Sequence, residues 1–468
     1  MINFSNLPCY VKYIINCLNC AGFDGFIVGG CVRDIIMNKT PNDYDITTNA
    51  TTDEIIQIFN DKHTIITAGI KHGTVSVVLS SSFIKTFLQS DNLQNEKIII
   101  EITTYREDLE YFDNRHPSKI VFLKSIEKDL TRRDFTINAM AFGKKNNCTK
   151  FELIDLFCGI IDLNKKTIRC VGNSDVRFNE DALRIMRALR FSSILGFNIE
   201  EKTKKSIQDN KNLLKNISHE RIRDEFSKIL LGDKPSLIIK EYIDIFSIFI
   251  NEITLLNNCE QNTPYHCFDV LEHTLISIDV AEKDLILRLI MFFHDFGKPF
   301  CKTTDENGID HFKGHPGVSE ILAKKTMKNL KFDNKTIEIV CLLVKYHDLR
   351  PDGSNKSIKN LLRKIGENNF NLWLSVKRCD NFAQSDFSKK TSEIFFLYEK
   401  IYYKILEENQ CFKLQNLEIN GNDLKQLGIN EGKAIGNILK TLLNLVINDE
   451  LSNNYDSLKN YVITKFIL

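Results

Sequence analysis

The 468-residue sequence is notable first for what it has little of. Glycine (21) and proline (8) are too sparse for a collagen-like or low-complexity chain. Neither sign of charge prevails. There are 62 Lys and Arg against 61 Asp and Glu, and the net charge of +1 argues against a strongly basic nucleic-acid binder. Long apolar runs are missing too. The longest, Leu285 to Phe293, is interrupted by Arg288 and is too short to span a bilayer, so no membrane partner is expected. The opening Met1-Ile2-Asn3-Phe4-Ser5 has no basic segment leading into an apolar stretch, so no leader is expected. The cysteines number thirteen, an odd and scattered set that reads as reduced thiols of a cytoplasmic protein and excludes a disulfide-stapled one. Cys17 and Cys20 form a lone CxxC with no second pair to complete a zinc site, and they read as structural. What remains is ordinary globular composition, 43% hydrophobic and 26% charged, long enough for three or four compact units.

Two patterns divide the chain. Up to about residue 145, short β-branched and apolar runs at Phe26–Gly29, Val75–Leu79, Ile98–Ile102 and Ile120–Leu123 read as strands. From about Asn179 the periodicity turns helical, with helices expected over Asp181–Leu195, His219–Leu231, Leu285–Phe293 and Val318–Leu330. Asn262-Thr263-Pro264 marks a boundary. The expected fold class is α+β: a mixed sheet with helices, followed by a long all-α body.

The first chemistry-bearing stretch is Phe26-Ile27-Val28-Gly29-Gly30-Cys31-Val32-Arg33-Asp34, a strand entering a glycine turn and then a helix. Gly29 and Gly30 let the backbone approach a ligand. Nearby lies Asp43-Tyr44-Asp45, and on a strand both aspartates face one side. Adjacent carboxylates repel unless a divalent cation lies between them, as in two-metal phosphoryl transfer. Alone, such a pair favours a solvated loop; the glycine turn just upstream reverses that in favour of the metal site. Glu101, an acid in the apolar run Ile98–Ile102, is the candidate third ligand, because a buried unpaired acid needs a cation or a hydrogen bond.

These stretches are followed, in order, by Gly69-Ile70-Lys71-His72-Gly73-Thr74-Val75, Arg132-Arg133-Asp134-Phe135-Thr136-Ile137-Asn138-Ala139-Met140-Ala141 and Glu180-Asp181-Ala182-Leu183-Arg184-Ile185-Met186-Arg187-Ala188-Leu189-Arg190-Phe191. Together they resemble the class II CCA-adding enzymes, tRNA nucleotidyltransferases related to bacterial poly(A) polymerases, over about residues 20–232. The resemblance implies a polymerase-β-type catalytic head over 1–145, a neck and body with nucleotide-selecting and RNA-binding helices over 146–260, and a tRNA-binding tail over 391–468. It implies Mg²⁺ on Asp43 and Asp45, with Arg132, Arg133, Asp134 and Asn138 on the nucleotide's sugar and triphosphate. Guanidinium forks suit a triphosphate, and Asp or Asn suits ribose hydroxyls.

Asp181 and Arg184, one helical turn apart, match the family's nucleotide-selecting pair, with Glu180 adjacent. Cytosine and adenine offer an amino donor beside a ring-nitrogen acceptor; guanine and uracil offer the reverse. An aspartate only accepts and an arginine only donates, so the pair matches C and A. Arg187 and Arg190 continue the stripe and either bind phosphate or brace the helix, while Leu183, Met186 and Leu189 read as core. Glu220–Phe226 reads as a structural salt-bridged helix. Glu107–Pro117 is either an ordinary surface loop or the family's loop for the final A.

A second constellation lies in the helical half: His273, His294-Asp295, His315, His347-Asp348 and Asp380. Imidazole with carboxylate suits Ni²⁺, Mn²⁺, Fe²⁺ or Zn²⁺. The pattern resembles the HD phosphohydrolases over 261–390, with His273, His294, Asp295 and Asp380 as ligands and His315 and His347 as additional candidates. The ion would be hydrolytic or structural.

The sequence therefore reads as a template-independent CTP/ATP:tRNA nucleotidyltransferase acting on the tRNA acceptor end. The competing readings are a poly(A) polymerase or A-only enzyme of the same family, and a non-catalytic RNA-binding protein. The grouping of Arg33, Arg132, Arg133, Arg184, Arg187 and Arg190 leads to the expectation of a locally basic cleft on a neutral protein.

Overall fold

The computed structural model describes residues 7–88, 97–111, 117–146, 148, 150–386, 393–429 and 432–467. Where length alone suggests three or four units, the contacts divide the chain into two, Met1–Asp233 and Lys234–Leu468.

In the first unit, α1 (Cys9–Cys20) buries Val11, Ile14, Ile15 and Leu18, the i, i+3, i+4, i+7 stripe of a helix lying on a sheet. The chain continues through β1 (Gly25–Val28), α2 (Gly30–Ile36), β2 (Asp45–Thr48), α3 (Thr52–Phe59), β3 (Thr64–Ile66), β4 (Thr74–Leu79) and β5 (Ile98–Thr104). The Thr51–Glu54 capping box starts α3, which lies between β2 and β3. β8 (Met140–Lys144) and β9 (Glu152–Asp155) complete a seven-stranded sheet ordered β3-β4-β5-β2-β1-β8-β9, antiparallel except for the β2–β5 pair. Period-two burial is clear on β4, where Val75, Val77 and Leu79 face the core.

The expected strand near 120 forms, but as β7 (Pro117–Phe122), paired only with β6 (Arg106–Tyr111). The Glu107–Pro117 stretch thus includes strand from both arms of a hairpin; residues 112–116 lie outside those described. α4 (Ile126–Thr131) follows, then α5 (Ser174–Glu180), α6 (Leu183–Leu195) and α7 (His219–Leu230).

One expectation fails at the start of α6. Asp181 is extended (φ −138°, ψ 102°), and the helix begins at Leu183. Asp181 ends one helix and leads into the next, its carboxylate accepting from Leu183 N at 3.1 Å. It therefore shares no helical face with Arg184. Capping the free N–H groups of a new helix is a task to which Asp is better suited than to a helix interior.

The second unit is helical apart from a short strand pair, Thr303–Thr304 with Asp310–His311. Its principal helices are α8 (Val270–Val280), α9 (Leu285–Phe293), α10 (His315–Asn329), α11 (Asn334–Tyr346), α12 (Phe370–Phe382), α13 (Ile394–Glu407) and α14 (Gly432–Ile447). α9 is apolar almost all round because it is the buried centre of this unit, with seven of its residues inaccessible. A smaller core near the C-terminus gathers Leu424, Ile438, Leu442, Leu458 and Val462. Among the described residues no helix is long and apolar enough to cross a membrane.

Candidate active site and a second buried cluster

β1 delivers the chain to Gly29, whose φ of +78° disfavours any side chain; a Cβ there would stand 3.2 Å from Arg133 Nη1. The turn thus brings Arg133 over the backbone just before α2 begins. Arg33, from the first turns of α2, pairs with Asp34 at 2.8 Å and donates to Asn138 Oδ1 at 2.9 Å.

Asp43 and Asp45 are exposed, while Tyr44 between them is buried, so both carboxylates lie on the open side of the sheet. Glu101 is the Cα partner of Asp45 across the parallel β2–β5 pair. It is exposed, contrary to the premise of a buried acid: β5 alternates, and Glu101 occupies an uncovered position. Although Asp45 keeps an exposed side, desolvation and then the charges of Asp43 and Glu101 push its carboxyl up to about 6, against the pull of Arg133. Oxygen donors that repel one another in this way fit a hard divalent cation.

The two arginines at 132 and 133 are organised by a residue the sequence reading passed over. Asp129, fully buried on α4, accepts from Arg132 Nη2 at 2.7 Å and Arg133 Nη2 at 3.3 Å. Burial opposes its ionisation, but Arg133 and Arg132 outweigh that and hold the carboxyl below the usual range. In sequence Asp129 looks like one more charge in Glu127-Lys128-Asp129. Its position four residues before Arg133 is the signal that was available.

Asp134 turns away from this cluster. It receives Arg187 Nη2 at 2.5 Å and Nε at 2.8 Å, and the Phe135 backbone N–H at 2.8 Å. Burial is again opposed by Arg187, and the carboxyl sits at about 2. Arg190 pairs with Glu225 at 3.2 Å. Arg33, Arg187 and Arg190 all approach the ring of Phe191, at 5.4, 5.4 and 4.3 Å. These contacts are those of braces. Each of the six arginines behind the expected basic cleft has a carboxylate partner, with Arg132 and Arg133 sharing Asp129.

Arg184 is buried, donating to Glu180 Oε2 at 2.7 Å and to the Arg132 carbonyl at 2.9 Å. Asp181 is held by Arg221 at 3.0 Å. Arg221 lies in the stretch read as structural, and only the tertiary fold brings it to Asp181.

In the second unit, Gly297 lets the turn after α9 meet the start of α10; a Cβ there would lie 2.3 Å from the His315 carbonyl. The predicted ligands converge. His273 Nε2 lies 3.2 Å from His294 Nε2 and 3.1 Å from Asp380 Oδ1. His294 Nε2 lies 3.1 Å from Asp295 Oδ2. His315 and His347 join them, each within 3.6 Å of Asp295 Oδ1. All six side chains are buried. Burial opposes ionisation of Asp295, but His294 and Lys298 more than reverse it and hold the carboxyl well below its usual range. Unforeseen neighbours include Lys298, between Asp295 (2.7 Å) and Gln261 (2.6 Å), and Lys377, donating to the His347 carbonyl at 2.8 Å. Another is His266, which burial and Lys298 press down to about 3. The cluster borders a cleft of about 450 Å³. The CxxC cysteines, like the other eleven, are free thiols.

Family models match three stretches of the chain. A model described as "Poly A polymerase head domain" matches residues 25–169. "Probable RNA and SrmB- binding site of polymerase A" matches 196–245, and "tRNA nucleotidyltransferase domain 2 putative" matches 304–462. The CCA-adding enzyme of Enterococcus faecalis is 47% identical over 219 residues, 47% of this chain and 48% of that one. That of Lactobacillus helveticus is 31% identical over 467 residues, 99% of both chains. Among solved structures, the Bacillus stearothermophilus CCA-adding enzyme in complex with CTP superposes with a TM-score of 0.69 at 25% identity, over 98% of each chain. With its head motifs assembled on one sheet and a relative matched end to end, the chain belongs to the CCA-adding enzyme family.

Proposed function

We propose that this protein adds C, C and A to the 3′ end of tRNA from CTP and ATP without a nucleic-acid template, in the cytoplasm. The observation that carries this reading is the cluster of Asp43, Asp45 and Glu101 beside Arg133, with the Asp45 carboxyl raised by its neighbours. These carboxylates would hold Mg²⁺, which when bound activates the attacking hydroxyl and stabilises the departing pyrophosphate. The remaining work belongs to the chain itself. Arg132 and Arg133, oriented by Asp129, meet the triphosphate. Asn138, held by Arg33, is placed for the ribose. Asp181, held by Arg221, and Arg184, aligned by Glu180, read the base edge.

The test is incubation with tRNA lacking its 3′ end, Mg²⁺, and CTP and ATP separately and together. Three added nucleotides, with CTP required first, match the proposal. A long A tail points to a poly(A) polymerase, and A added only to CC-ended tRNA points to an A-only enzyme. No product points to a non-catalytic RNA binder.

For the second unit the supporting observation is the convergence of His273, His294, Asp295 and Asp380. The donor set fits Ni²⁺, Mn²⁺, Fe²⁺ or Zn²⁺ and the reading of an HD-type phosphohydrolase. A His294→Ala, Asp295→Ala variant should lose bound transition metal and any phosphodiesterase activity. Unchanged values for both remove this cluster from the chemistry.

A further inference from the structure

The carbonyl end of α4 is gripped by two guanidinium groups, and only one of them belongs to the base-reading pair. Thr131 is the last residue of α4 and Arg132 its C-cap, a position where carbonyls have no partner within the helix. Arg184 Nη2 donates to the Arg132 carbonyl at 2.9 Å. Arg177, on α5, donates through Nη1 to the Thr131 carbonyl at 3.2 Å. Cations are favoured at this end of a helix.

Glu180 joins the two arginines. Its Oε1 accepts from Arg177 Nη2 at 2.5 Å and its Oε2 from Arg184 Nη1 at 2.7 Å. The contacts therefore close a ring that begins on the Thr131 carbonyl, passes through Arg177, Glu180 and Arg184, and ends on the carbonyl of the next residue, Arg132. Arg177, Glu180 and Arg184 keep only 16, 19 and 10% of their side-chain surface, so these are not the solvent-screened pairs that contribute almost nothing. The Arg177 backbone meets both readers as well. Its carbonyl accepts from the Asp181 backbone N–H at 3.3 Å and from Arg184 Nη1 at 3.1 Å.

An arginine reads a base edge through two N–H groups at once, which requires the plane of its guanidinium to be fixed. Glu180 can fix that plane only if its own carboxylate is fixed. Held on one oxygen, the carboxylate turns about its side-chain bonds. Held on both, it turns only by breaking a charge-assisted hydrogen bond. Arg177 holds the second oxygen, and its Thr131 contact ties the whole arrangement to the helix that carries Asp129. We propose that Arg177 is a specificity-determining positioning residue, which sets the plane of the Arg184 guanidinium relative to the triphosphate-binding arginines by clasping Glu180 to the end of α4. It acts through Arg184, not on the nucleotide. The inference rests on the nucleotide-addition reading and adds to it a residue outside the Asp181–Arg184 pair.

The test compares kcat/KM for CTP with UTP on tRNA lacking its 3′ end, and for ATP with GTP on CC-ended tRNA. In Arg177→Ala both margins should narrow by about tenfold, the scale of a loosened two-point base contact. Millimolar guanidinium ion, far below the molar concentrations that unfold proteins, should restore the margins, and sodium chloride at equal concentration should not. Arg177→Lys keeps the charge but lacks the planar fork that spans Glu180 and the Thr131 carbonyl, so its margins should fall between those of wild type and Arg177→Ala. It also decides the matter should Arg177→Ala fail to fold. An equal loss for all four nucleotides, wild-type margins in Arg177→Lys, or a narrowed margin that guanidinium leaves unchanged overturns the role of Arg177 and leaves nucleotide addition standing. A wild-type protein that adds nothing to either tRNA overturns both.

Discussion

Asp45 and Glu101 are direct Cα partners across the one parallel strand pair of the head sheet, each at an exposed position on its strand. This relationship places a third carboxylate beside the Asp43–Asp45 pair, and its charge is felt at Asp45.

It leads to a pH dependence with a definite sign. The Asp45 carboxyl titrates at about 6, raised by desolvation, then by Asp43 and Glu101. Below that pH it is neutral and a poorer ligand, so Mg²⁺ affinity and addition rate should climb from pH 5 to 7. Asp43→Asn removes one repelling charge and should move the midpoint for metal affinity to lower pH, read by calorimetric Mg²⁺ titration. Asp45→Ala should abolish nucleotide addition; persisting activity would falsify the assignment. For the stability of the metal-free protein the dependence runs the other way. A folded pKa above the unfolded one means the Asp45 contribution to stability is present at pH 4 and lost as pH rises through 6.

Asp134 behaves oppositely. Arg187 holds it at about 2, below its unfolded value, so its contribution is present above pH 4 and lost as pH falls toward 2. Asp134→Ala leaves the Arg187 guanidinium without its partner and should destabilise the protein by about 3 kcal/mol at pH 7. Urea melts at pH 7 and pH 2.5 check it: the gap between wild type and Asp134→Ala should narrow at the lower pH.

How much of this was legible in the sequence varied with the range of the interaction. Alternation in β4 and β5 and the apolar run of α9 follow from local patterning, and those elements appear close to where they were read. The exposure of Glu101 follows from which sheet face is covered, which no run of seven residues records. The break at Asp181 was missed because the surrounding apolar spacing continues through it, while the Asp side chain prefers a cap. Arg221 meets Asp181 from forty residues away, and Asp129 differs from Glu127 by its burial as well as by its spacing from Arg133. In the second unit the motif residues were readable, but the pairing of four Nε2 atoms around Asp295 depends on side-chain orientations that only the tertiary structure reveals.

Asp129 yields a kinetic prediction. It orients two arginines at once, and its ion pairs are with Arg132 and Arg133, not with Arg184. Asp129→Asn should therefore raise KM for CTP and ATP by the same factor, about tenfold, corresponding to about 1.4 kcal/mol of lost charge-assisted hydrogen bonding. Preference for C and A over U and G should stay as in wild type. Steady-state kinetics with all four nucleotides decides this, and a change confined to one nucleotide would count against a triphosphate role.

Arg184 gives the complementary outcome. Its guanidinium is aligned by Glu180 and the Arg132 carbonyl, and Lys lacks the planar fork to keep both contacts while meeting a base. Arg184→Lys should thus erode discrimination more than turnover: kcat/KM for CTP and ATP should fall, and the margin over UTP and GTP should narrow by about tenfold, since a two-point base contact contributes about 1–3 kcal/mol. Arg221→Ala addresses the same pair from the other side. It leaves Asp181 capping Leu183 but without its ion-pair partner, so the carboxylate orients less well toward an amino group. If Asp181 and Arg184 act as one reader, the double variant Arg184→Lys, Arg221→Ala should lose less selectivity than the sum of the single losses. Full additivity would separate the two residues and assign base choice to Arg184 alone.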